Sequence, residues 1–252
     1  MTITNKRCIF CLTTGRSGTK YLSQVFDLLP NVKAFHEPVP DFISCARSAR
    51  ENPQDGIRFV IDKKIPAINA IKEPIYIETS HLFCKGFVEI FADLDIDFDI
   101  IILKRKQRTV AKSLYGRKSI PGQKPNGVKY LLTPNADGVF TKLNDWKNLH
   151  HYQLCYWYCL EIERRIEIYK NFKSVKRIAE TTLKDITTVD GLYQLCENLD
   201  LPWFTTKQFE QYLKIKDKKS NQNSSNAIAE TSKFTDKQLE QWESEVKCKT
   251  IR

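Results

Sequence analysis

The sequence predicts an α/β fold of three layers, in which a central, mostly parallel five-stranded sheet is flanked by helices. Short apolar runs alternate with amphipathic helical patterns along the chain. A parallel sheet requires this order because its crossover connections are usually helices. The run at residues 98–103 is almost continuously apolar, which is typical of a central strand buried on both faces.

Each predicted strand is a short apolar run that ends at polar residues or glycine. Strands are predicted at residues 8–12, 32–35, 75–77, 98–103 and 174–179. Apolar residues repeating at intervals of three and four predict the helices. These begin after residue 18 and near residue 41, and further helices cover 82–92, 109–115, 143–171, 189–198, 206–213 and 236–246. A polar stretch rich in Asn, Asp and Lys follows the helix near residue 41 and extends to about residue 70. Irregular chain is predicted over 116–136, and a mobile basic loop over about 214–226.

The loop between the first strand and the first helix is the most informative segment. Residues 13–19 read Thr-Thr-Gly-Arg-Ser-Gly-Thr, and the helix after them has an apolar face of Tyr21, Leu22, Val25, Phe26 and Leu29. A glycine-containing loop before a helix directs unpaired N–H groups and the positive end of the helix dipole at one point. The sequence therefore predicts a binding site for a phosphate or a similar anion.

This loop departs from the magnesium-dependent phosphate loop G-x-x-x-x-G-K-[ST], in which the lysine reaches the phosphates and the hydroxyl holds Mg²⁺. Counted from Gly18, the first glycine position is Thr13 and the lysine position is Thr19. Lys20 comes one residue late and is followed by Tyr21. A metal-dependent ATPase or kinase is disfavoured, and no metal site is predicted.

The length and net charge of the chain limit the number of domains and the kinds of ligand that we expect. The 252 residues suit one domain over 1–252, and 40 Lys and Arg against 30 Asp and Glu give a formal charge of +10. This excess favours anionic ligands or a solvated basic surface, and no motif indicates dedicated nucleic-acid binding. No signal peptide and no membrane-spanning run is recognised, so we expect a cytoplasmic protein with eight reduced, mostly buried cysteines.

Polar side chains follow four of the predicted strands, at the edge where parallel sheets bind their ligands. They are Arg16, His36 with Glu37, the segment 78–81, and Lys104 with Arg105. Ser113 stands eight residues after Arg105, inside the next predicted helix. A forked guanidinium and a hydroxyl beside a helix start suit a second phosphate.

Together these segments resemble the sulfotransferases that use 3′-phosphoadenosine 5′-phosphosulfate (PAPS). Residues 14–21 are similar to the family's 5′-phosphosulfate loop, with Arg16 at its basic position and Tyr21 where many members place a tryptophan over the adenine. Arg105 and Ser113 resemble its 3′-phosphate motif. The resemblance covers roughly residues 7–200, and it implies a P-loop-like fold with the nucleotide-binding core in that range.

Two further segments resemble the family's catalytic parts. Residues 79–82, Thr-Ser-His-Leu, are similar to the segment of cytosolic members that ends in a catalytic histidine, here His81. His36-Glu37-Pro38 resembles the Glu-Pro element of carbohydrate and bacterial members, in which the glutamate can be the base. The family's lysine two residues before the histidine is Thr79 here, and its C-terminal R-K-G-x-x-G loop is missing.

The resemblance implies metal-independent transfer of a sulfuryl group from PAPS to a hydroxyl or amine of a small-molecule, glycan or lipid acceptor. Adenosine 3′,5′-bisphosphate would be the product, and His81 or Glu37 the base. The residues implied to bind the donor are Gly15, Arg16, Ser17, Gly18, Thr19, Lys20, Tyr21, Arg105 and Ser113. Arg16 and Lys20 would also stabilise the leaving phosphate. A P-loop-like nucleotide kinase or phosphotransferase, and a non-catalytic protein that binds nucleotides or polyanions, are the alternatives.

Overall fold

The computed structural model describes residues 2–216 and 233–251, so most of the loop predicted at 214–226 lies outside the described residues. The strands are β1 (Arg7–Leu12), β2 (Val32–Phe35), β3 (Ile75–Glu78), β4 (Phe98–Lys104), β5 (Lys142–Leu143), β6 (Val175–Thr182) and β7 (Thr250–Ile251). The helices up to residue 93 are α1 (Thr19–Phe26), α2 (Ala46–Glu51), α3 (Pro53–Phe59), α4 (Ile65–Asn69) and α5 (Phe87–Asp93). The later helices are α6 (Gln107–Gly116), α7 (Pro125–Tyr130), α8 (His151–Tyr169), α9 (Leu183–Ile186), α10 (Val189–Asn198), α11 (Thr206–Lys216) and α12 (Asp236–Lys249).

The chain divides into two compact units. The first is Met1–Lys104 with Ile168–Ser220, and the second is Arg105–Glu167 with Asn221–Arg252. The first unit contains a sheet in the order β2-β3-β1-β4-β6, in which every neighbouring pair is parallel. All five predicted strands are confirmed, and so is the α/β fold class.

Helices cover both faces of the sheet in the first unit. Ile9 and Cys11 of β1 point into one core, which they share with the apolar faces of α1 and α10. Phe10, between them in sequence, points the other way and stacks on Phe83 with ring centroids 4.0 Å apart. Because alternate residues of a strand face opposite sides, one apolar run supplies both cores. The predicted three-layer arrangement is therefore confirmed.

The stretch up to residue 70, which the sequence analysis described only as polar, is largely helical. Helices α2, α3 and α4, with a π-helical turn at Val60–Lys64, follow each other from Ala46 to Asn69. The Asn52 side chain caps α3 by accepting from the Gln54 N–H, and Pro53 occupies its first position. Large buried apolar residues anchor this charged segment: Phe59, Val60, Ile65 and Ile68. A few apolar side chains on one face outweigh the polar composition.

Two predicted helices begin later than expected. The turn at residues 81–86 precedes α5, whose N-cap Gly86 has a left-handed φ of 117°. The helix predicted at 143–171 is α8, which begins at His151; ahead of it the chain forms β5 and a 3₁₀ turn at Trp146–Asn148. Asp145 has φ 51° and breaks the helical pattern there. The region 116–136, predicted to be irregular, contains the short helix α7.

The second unit has its own polar and apolar contacts. Strands β5 and β7 pair antiparallel. Buried Trp157 of α8 donates from Nε1 to the Thr141 carbonyl at 2.8 Å. Arg108 of α6 binds both carboxylate oxygens of Glu243 on α12, at 2.8 and 2.9 Å. These contacts hold α6, α8 and α12 within their unit.

Two general features concern the described residues. None of their helices combines the length and the apolar character that a bilayer crossing demands. The eight cysteines are free thiols, of which seven are buried and Cys248 is exposed.

Candidate active site

The loop after β1 has an unusual backbone. Gly15, Arg16 and Gly18 all have left-handed conformations, with φ of 78°, 58° and 99°. A β-carbon at Gly18 would lie 2.5 Å from Leu183 Cδ1 of α9, so the leucine side chain would have to shift to admit one. Successive left-handed turns of this kind point backbone N–H groups into a small concavity that suits anions. The predicted anion loop therefore has the backbone it needs.

The loop runs into α1 without neutralising its positive end. Gly18 is the N-cap, and among the described residues no side chain caps it. The first turn of α1 contains no acidic residue. The dipole and the N–H groups of the first turn are thus available to a bound anion.

Hydroxyl groups hold the loop from inside. Ser17 is fully buried, and its hydroxyl donates to the Gly15 carbonyl at 2.9 Å. Thr13 Oγ1 lies 2.8 Å from Ser17 Oγ and 2.9 Å from the Leu103 carbonyl of β4. The Ser17 side chain is therefore engaged within the loop, and its backbone N–H is the group that it can offer to a ligand.

The segment after β3 lies against this loop. The Thr79 hydroxyl donates to the Thr19 carbonyl at 2.9 Å. A β-carbon at Gly15 would come within 3.2 Å of Cγ of His81. The His81 ring is thus in close contact with the loop backbone, as the order of the strand ends predicts.

His81 also faces Glu37, which follows β2. His81 Nε2 lies 3.5 Å from Glu37 Oε1, and the two side chains are 19% and 23% exposed. The Nδ1 of His36 lies 3.0 Å from the Thr79 carbonyl and must donate to it, so this nitrogen is engaged by the backbone. The structure therefore brings His81 and Glu37, the two candidate bases, to the edge of the anion loop.

Glu37 and Arg16 share an uncommon backbone conformation with a positive φ. Nine non-glycine residues in the described chain have positive φ, and six of them are Asn or Asp, which tolerate this conformation. Arg16, Glu37 and Lys118 are the other three. Left-handed residues of other types cost about 1–3 kcal/mol and concentrate at functional sites. Two of the three lie at this site.

The electrostatic environment of His81 favours the neutral ring. Burial holds the pKa of His81 well below the usual value, and its electrostatic interactions with Lys85, His36 and Arg16 act in the same direction. Lys85 is fully buried, and its Nζ lies 2.7 Å from His81 Nδ1. A neutral imidazole is expected here at neutral pH.

A comparison with solved structures identifies a protein that shares this fold. The chain superposes on the "Sulfotransferase Domain from the Curacin Biosynthetic Pathway" with a TM-score of 0.54 and 16% sequence identity. The match covers 82% of this chain and 78% of that one. The fold is that of a sulfotransferase domain. No protein-family model matches the sequence, and neither does any curated protein.

Within this sulfotransferase fold, the remaining predicted residues fall into two groups. Lys20 is exposed in the first turn of α1. Arg105 and Ser113 belong to the second unit, where both are half-buried, and burial lowers the pKa of Arg105. Their spacing places Arg105 just before α6 and Ser113 on it.

Tyr21 requires a correction. The sequence suggested that it stacks on an adenine, but the side chain is 4% exposed and packs in the core with Leu22 and Val25. The apolar periodicity of α1 turns the ring toward the sheet. The structure therefore gives Tyr21 a packing role.

Two buried lysines lie near the candidate site, and the sequence analysis did not predict their contacts. Lys64 is 2.6 Å from Glu78 Oε2, and their side chains are 1% and 0% exposed. Lys64 Nζ also donates to the Pro40 carbonyl at 3.0 Å. Lys85 stands four residues after His81, a spacing that could have indicated one helical face.

Proposed function

We propose that this protein is a PAPS-dependent sulfotransferase that transfers a sulfuryl group to a hydroxyl or amine acceptor. The observation that carries the proposal is the close contact between the anion loop and a paired histidine and glutamate. A site of this kind holds an anionic donor and accepts a proton at the same place. The sulfotransferase fold supports the proposal independently of these contacts.

The residues present fit the phosphosulfate end of the donor. The backbone N–H groups of Ser17 to Thr19 and the start of α1 supply hydrogen bonds, and no acidic side chain in that first turn opposes a negative charge. Arg16 is half-buried within the loop, and Lys20 is exposed on α1. Both side chains add positive charge without a metal ion.

When bound, PAPS supplies the sulfuryl group, whose S–O bond to the 5′-phosphate breaks as the acceptor oxygen or nitrogen bonds to sulfur. Arg16, Lys20 and the loop N–H groups stabilise the charge that this leaves on the phosphate oxygen. Removing one donor of this kind typically costs about 3–4 kcal/mol, or a rate factor of about 10²–10³.

The acceptor's proton goes to the paired side chains at the edge of the loop. His81 and Glu37 are both partly exposed, so an acceptor hydroxyl or amine can reach either. Proton removal by a positioned base contributes about 10²–10⁴ to the rate. Arg105 and Ser113 are proposed to bind the 3′-phosphate, on the strength of their spacing in the sequence. The acceptor is proposed to be a small molecule, glycan or lipid in the cytoplasm.

A thermal-shift experiment tests the proposal without knowledge of the acceptor. Adenosine 3′,5′-bisphosphate should raise the unfolding temperature, since a ligand at 100 times its Kd stabilises by about 2.7 kcal/mol. Arg16→Ala should abolish most of this shift. The exposed Arg47, which pairs with Glu51 at 2.8 Å, provides the matched control Arg47→Ala.

Activity measurements separate the alternatives. Transfer from ³⁵S-labelled PAPS to a panel of phenol, alcohol and amine acceptors should persist in EDTA. A selective shift with ATP and Mg²⁺ would instead indicate a nucleotide kinase. Binding of anionic polymers that falls steeply with salt, without a shift from the bisphosphate, would indicate a non-catalytic module.

A further inference from the structure

We propose that Lys85 is a positioning residue that holds the His81 ring with its proton on Nε2, so that His81 hydrogen-bonds Glu37 and Glu37 takes the acceptor's proton. The role of Glu37 as the base rests on the proposed sulfotransferase function. The first test concerns only which nitrogen of the His81 ring is protonated, so it does not depend on that function.

The contact between Lys85 and His81 defines which ring nitrogen is protonated. Lys85 Nζ lies 2.7 Å from His81 Nδ1, and the lysine is fully buried. A lysine ammonium offers three N–H donors and no acceptor. Nδ1 therefore accepts this hydrogen bond and has no proton of its own. A neutral imidazole with a bare Nδ1 carries its single proton on Nε2.

The surroundings keep the ring neutral. The charged or titratable groups that act on it are Lys85, Arg16 and His36, which disfavour an imidazolium, and Glu37, whose carboxylate faces Nε2. Burial disfavours the charged ring more than any of these charges does, so the pKa of His81 stays well below its usual value.

Packing holds the orientation of the ring. A β-carbon at Gly15 would lie 3.2 Å from His81 Cγ and 3.3 Å from its Cβ, so the loop backbone lies against this side chain. Turning the ring by 180° would place a carbon opposite Lys85 and lose the hydrogen bond. Lys85 and Gly15 together select one ring orientation.

This orientation decides between the two candidate bases. His81 Nε2 lies 3.5 Å from Glu37 Oε1, a distance that can shorten to a hydrogen bond in a complex with substrate. Nδ1 is occupied by Lys85, and Nε2 already carries a proton, so His81 has no lone pair to offer an acceptor. The carboxylate of Glu37 has several. The acceptor's proton therefore moves to Glu37, while His81 orients that carboxylate.

Nitrogen-15 NMR of the wild-type protein tests the inference directly. His81 is one of four histidines and can be assigned as the signal set that is lost in His81→Gln. Long-range ¹H–¹⁵N correlations distinguish a protonated ring nitrogen from a bare one. We expect His81 at pH 7 to show a protonated Nε2 and a bare Nδ1. A proton on Nδ1, or on both nitrogens, would overturn the proposal.

Two variants at position 85 separate positioning from simple packing. Lys85→Arg keeps a donor and should keep the Nε2–H tautomer, whereas Lys85→Met should bring the ring's titration closer to that of an ordinary histidine. In the transfer assay with ³⁵S-labelled PAPS, Lys85→Met should lower kcat by about 10²-fold while the KM for PAPS changes little. If Lys85→Met does not fold, the wild-type tautomer and Lys85→Arg decide the question.

The outcomes distinguish this inference from the proposed function. If the bisphosphate does not bind but His81 shows the Nε2–H tautomer, the proposed function fails and the Lys85 contact stands. If the bisphosphate binds and transfer occurs but His81 is protonated on Nδ1, the function stands and the role of Lys85 is wrong. Unchanged kcat in a folded Lys85→Met protein would also contradict that role.

Discussion

Two fully buried lysines contact residues that end or follow β3, and their partners differ in access to solvent. Lys64 pairs with Glu78 at 2.6 Å, and neither side chain is more than 1% exposed. Lys85 contacts His81, which in turn faces Glu37, and these last two side chains are about one-fifth exposed. Both members of the first pair are enclosed by protein, whereas the second set, the Lys85–His81–Glu37 triad, includes two side chains that solvent can reach.

This difference teaches how the same residue types serve two purposes. In the Lys64–Glu78 pair, burial raises the pKa of Glu78 and Lys64 opposes that change, while Tyr76 donates to the same carboxylate oxygen at 2.7 Å. Both side chains of this pair are buried, so neither is accessible to a ligand. In the triad the last carboxylate keeps lone pairs for a ligand. We therefore expect substitutions in the pair to change stability and substitutions in the triad to change chemistry.

The largest expected effect is the loss of stability in Lys64→Met. Glu78 would remain buried without its cation, and breaking a buried ion pair typically costs about 3–5 kcal/mol. Urea denaturation monitored by circular dichroism measures this change.

The double variant Lys64→Met, Glu78→Met is the control, because an apolar replacement of both partners is often close to neutral. It should be more stable than Lys64→Met alone. A single variant that loses less than about 1 kcal/mol would show that the pair is not structural.

Glu37→Gln, in contrast to Lys64→Met, should lower activity and leave stability almost unchanged. Turnover in the ³⁵S transfer assay should fall by at least about 10²-fold, since an amide cannot take the acceptor's proton. Stability should change little, because Glu37 is partly exposed. Glu51→Gln, at a glutamate on α2 that is 64% exposed, is the matched control. Near-normal turnover of Glu37→Gln would contradict the assignment.

Much of this arrangement could be predicted from the sequence, for local reasons. The β1–loop–α1 segment follows from a short apolar run, two glycines and an apolar helical face. The positions of Glu37 and His81 follow because the ends of parallel strands meet at one edge. Each of these signals lies within about ten residues of the chain.

The rest depends on distant partners that spacing does not reveal. Lys64 reaches Glu78 only because α3, the π-helical turn and α4 pack as helices, and the sequence analysis had described that segment only as polar. Tyr21 could be interpreted as an adenine platform or as part of an apolar face, and packing against the sheet decided for the latter. The contact between Lys85 and His81 is made in a turn where a helix was predicted.

Gly18→Ala tests the anion loop, where we expect a substitution to change both stability and ligand binding. The residue would have to keep φ 99° with its β-carbon 2.5 Å from Leu183 Cδ1. The strain costs about 1–3 kcal/mol and should weaken binding of adenosine 3′,5′-bisphosphate as well. Thermal unfolding and a calorimetric titration measure the two effects.

A second substitution and a second glycine serve as controls for that result. Leu183→Ala added to Gly18→Ala removes the clash and should restore part of the binding. Gly138→Ala, at φ 69° with no atom within 4 Å of its β-carbon, carries the backbone strain without the clash. Equal losses in Gly18→Ala and Gly138→Ala would show that Leu183 does not shape the loop.

The smallest expected effect is a pH dependence that belongs to the triad. His81 has its pKa well below the usual value in the folded protein and near about 6.5 in the unfolded chain. Below about pH 6.5 the unfolded chain binds a proton that the folded protein does not, so stability falls as the pH falls. The slope from one such group is at most about 1.4 kcal/mol per pH unit.

Denaturation curves between pH 7.5 and pH 5 for the wild type and His81→Gln test this dependence. The variant should lose stability less steeply in acid than the wild type does. Equal slopes would mean that His81 titrates alike in the folded and the unfolded protein. His81 would then behave as an ordinary surface histidine does.

The contact between Gly15 and the His81 ring has a consequence for how this protein can vary in evolution. Even the single methyl group of alanine at position 15 would press on the imidazole at 3.2 Å. A larger residue at position 15 therefore requires a smaller one at position 81. A smaller residue at position 81 would in turn make room for a side chain at position 15. Among homologues, glycine at the first of these positions and histidine at the second are expected to be kept or replaced together.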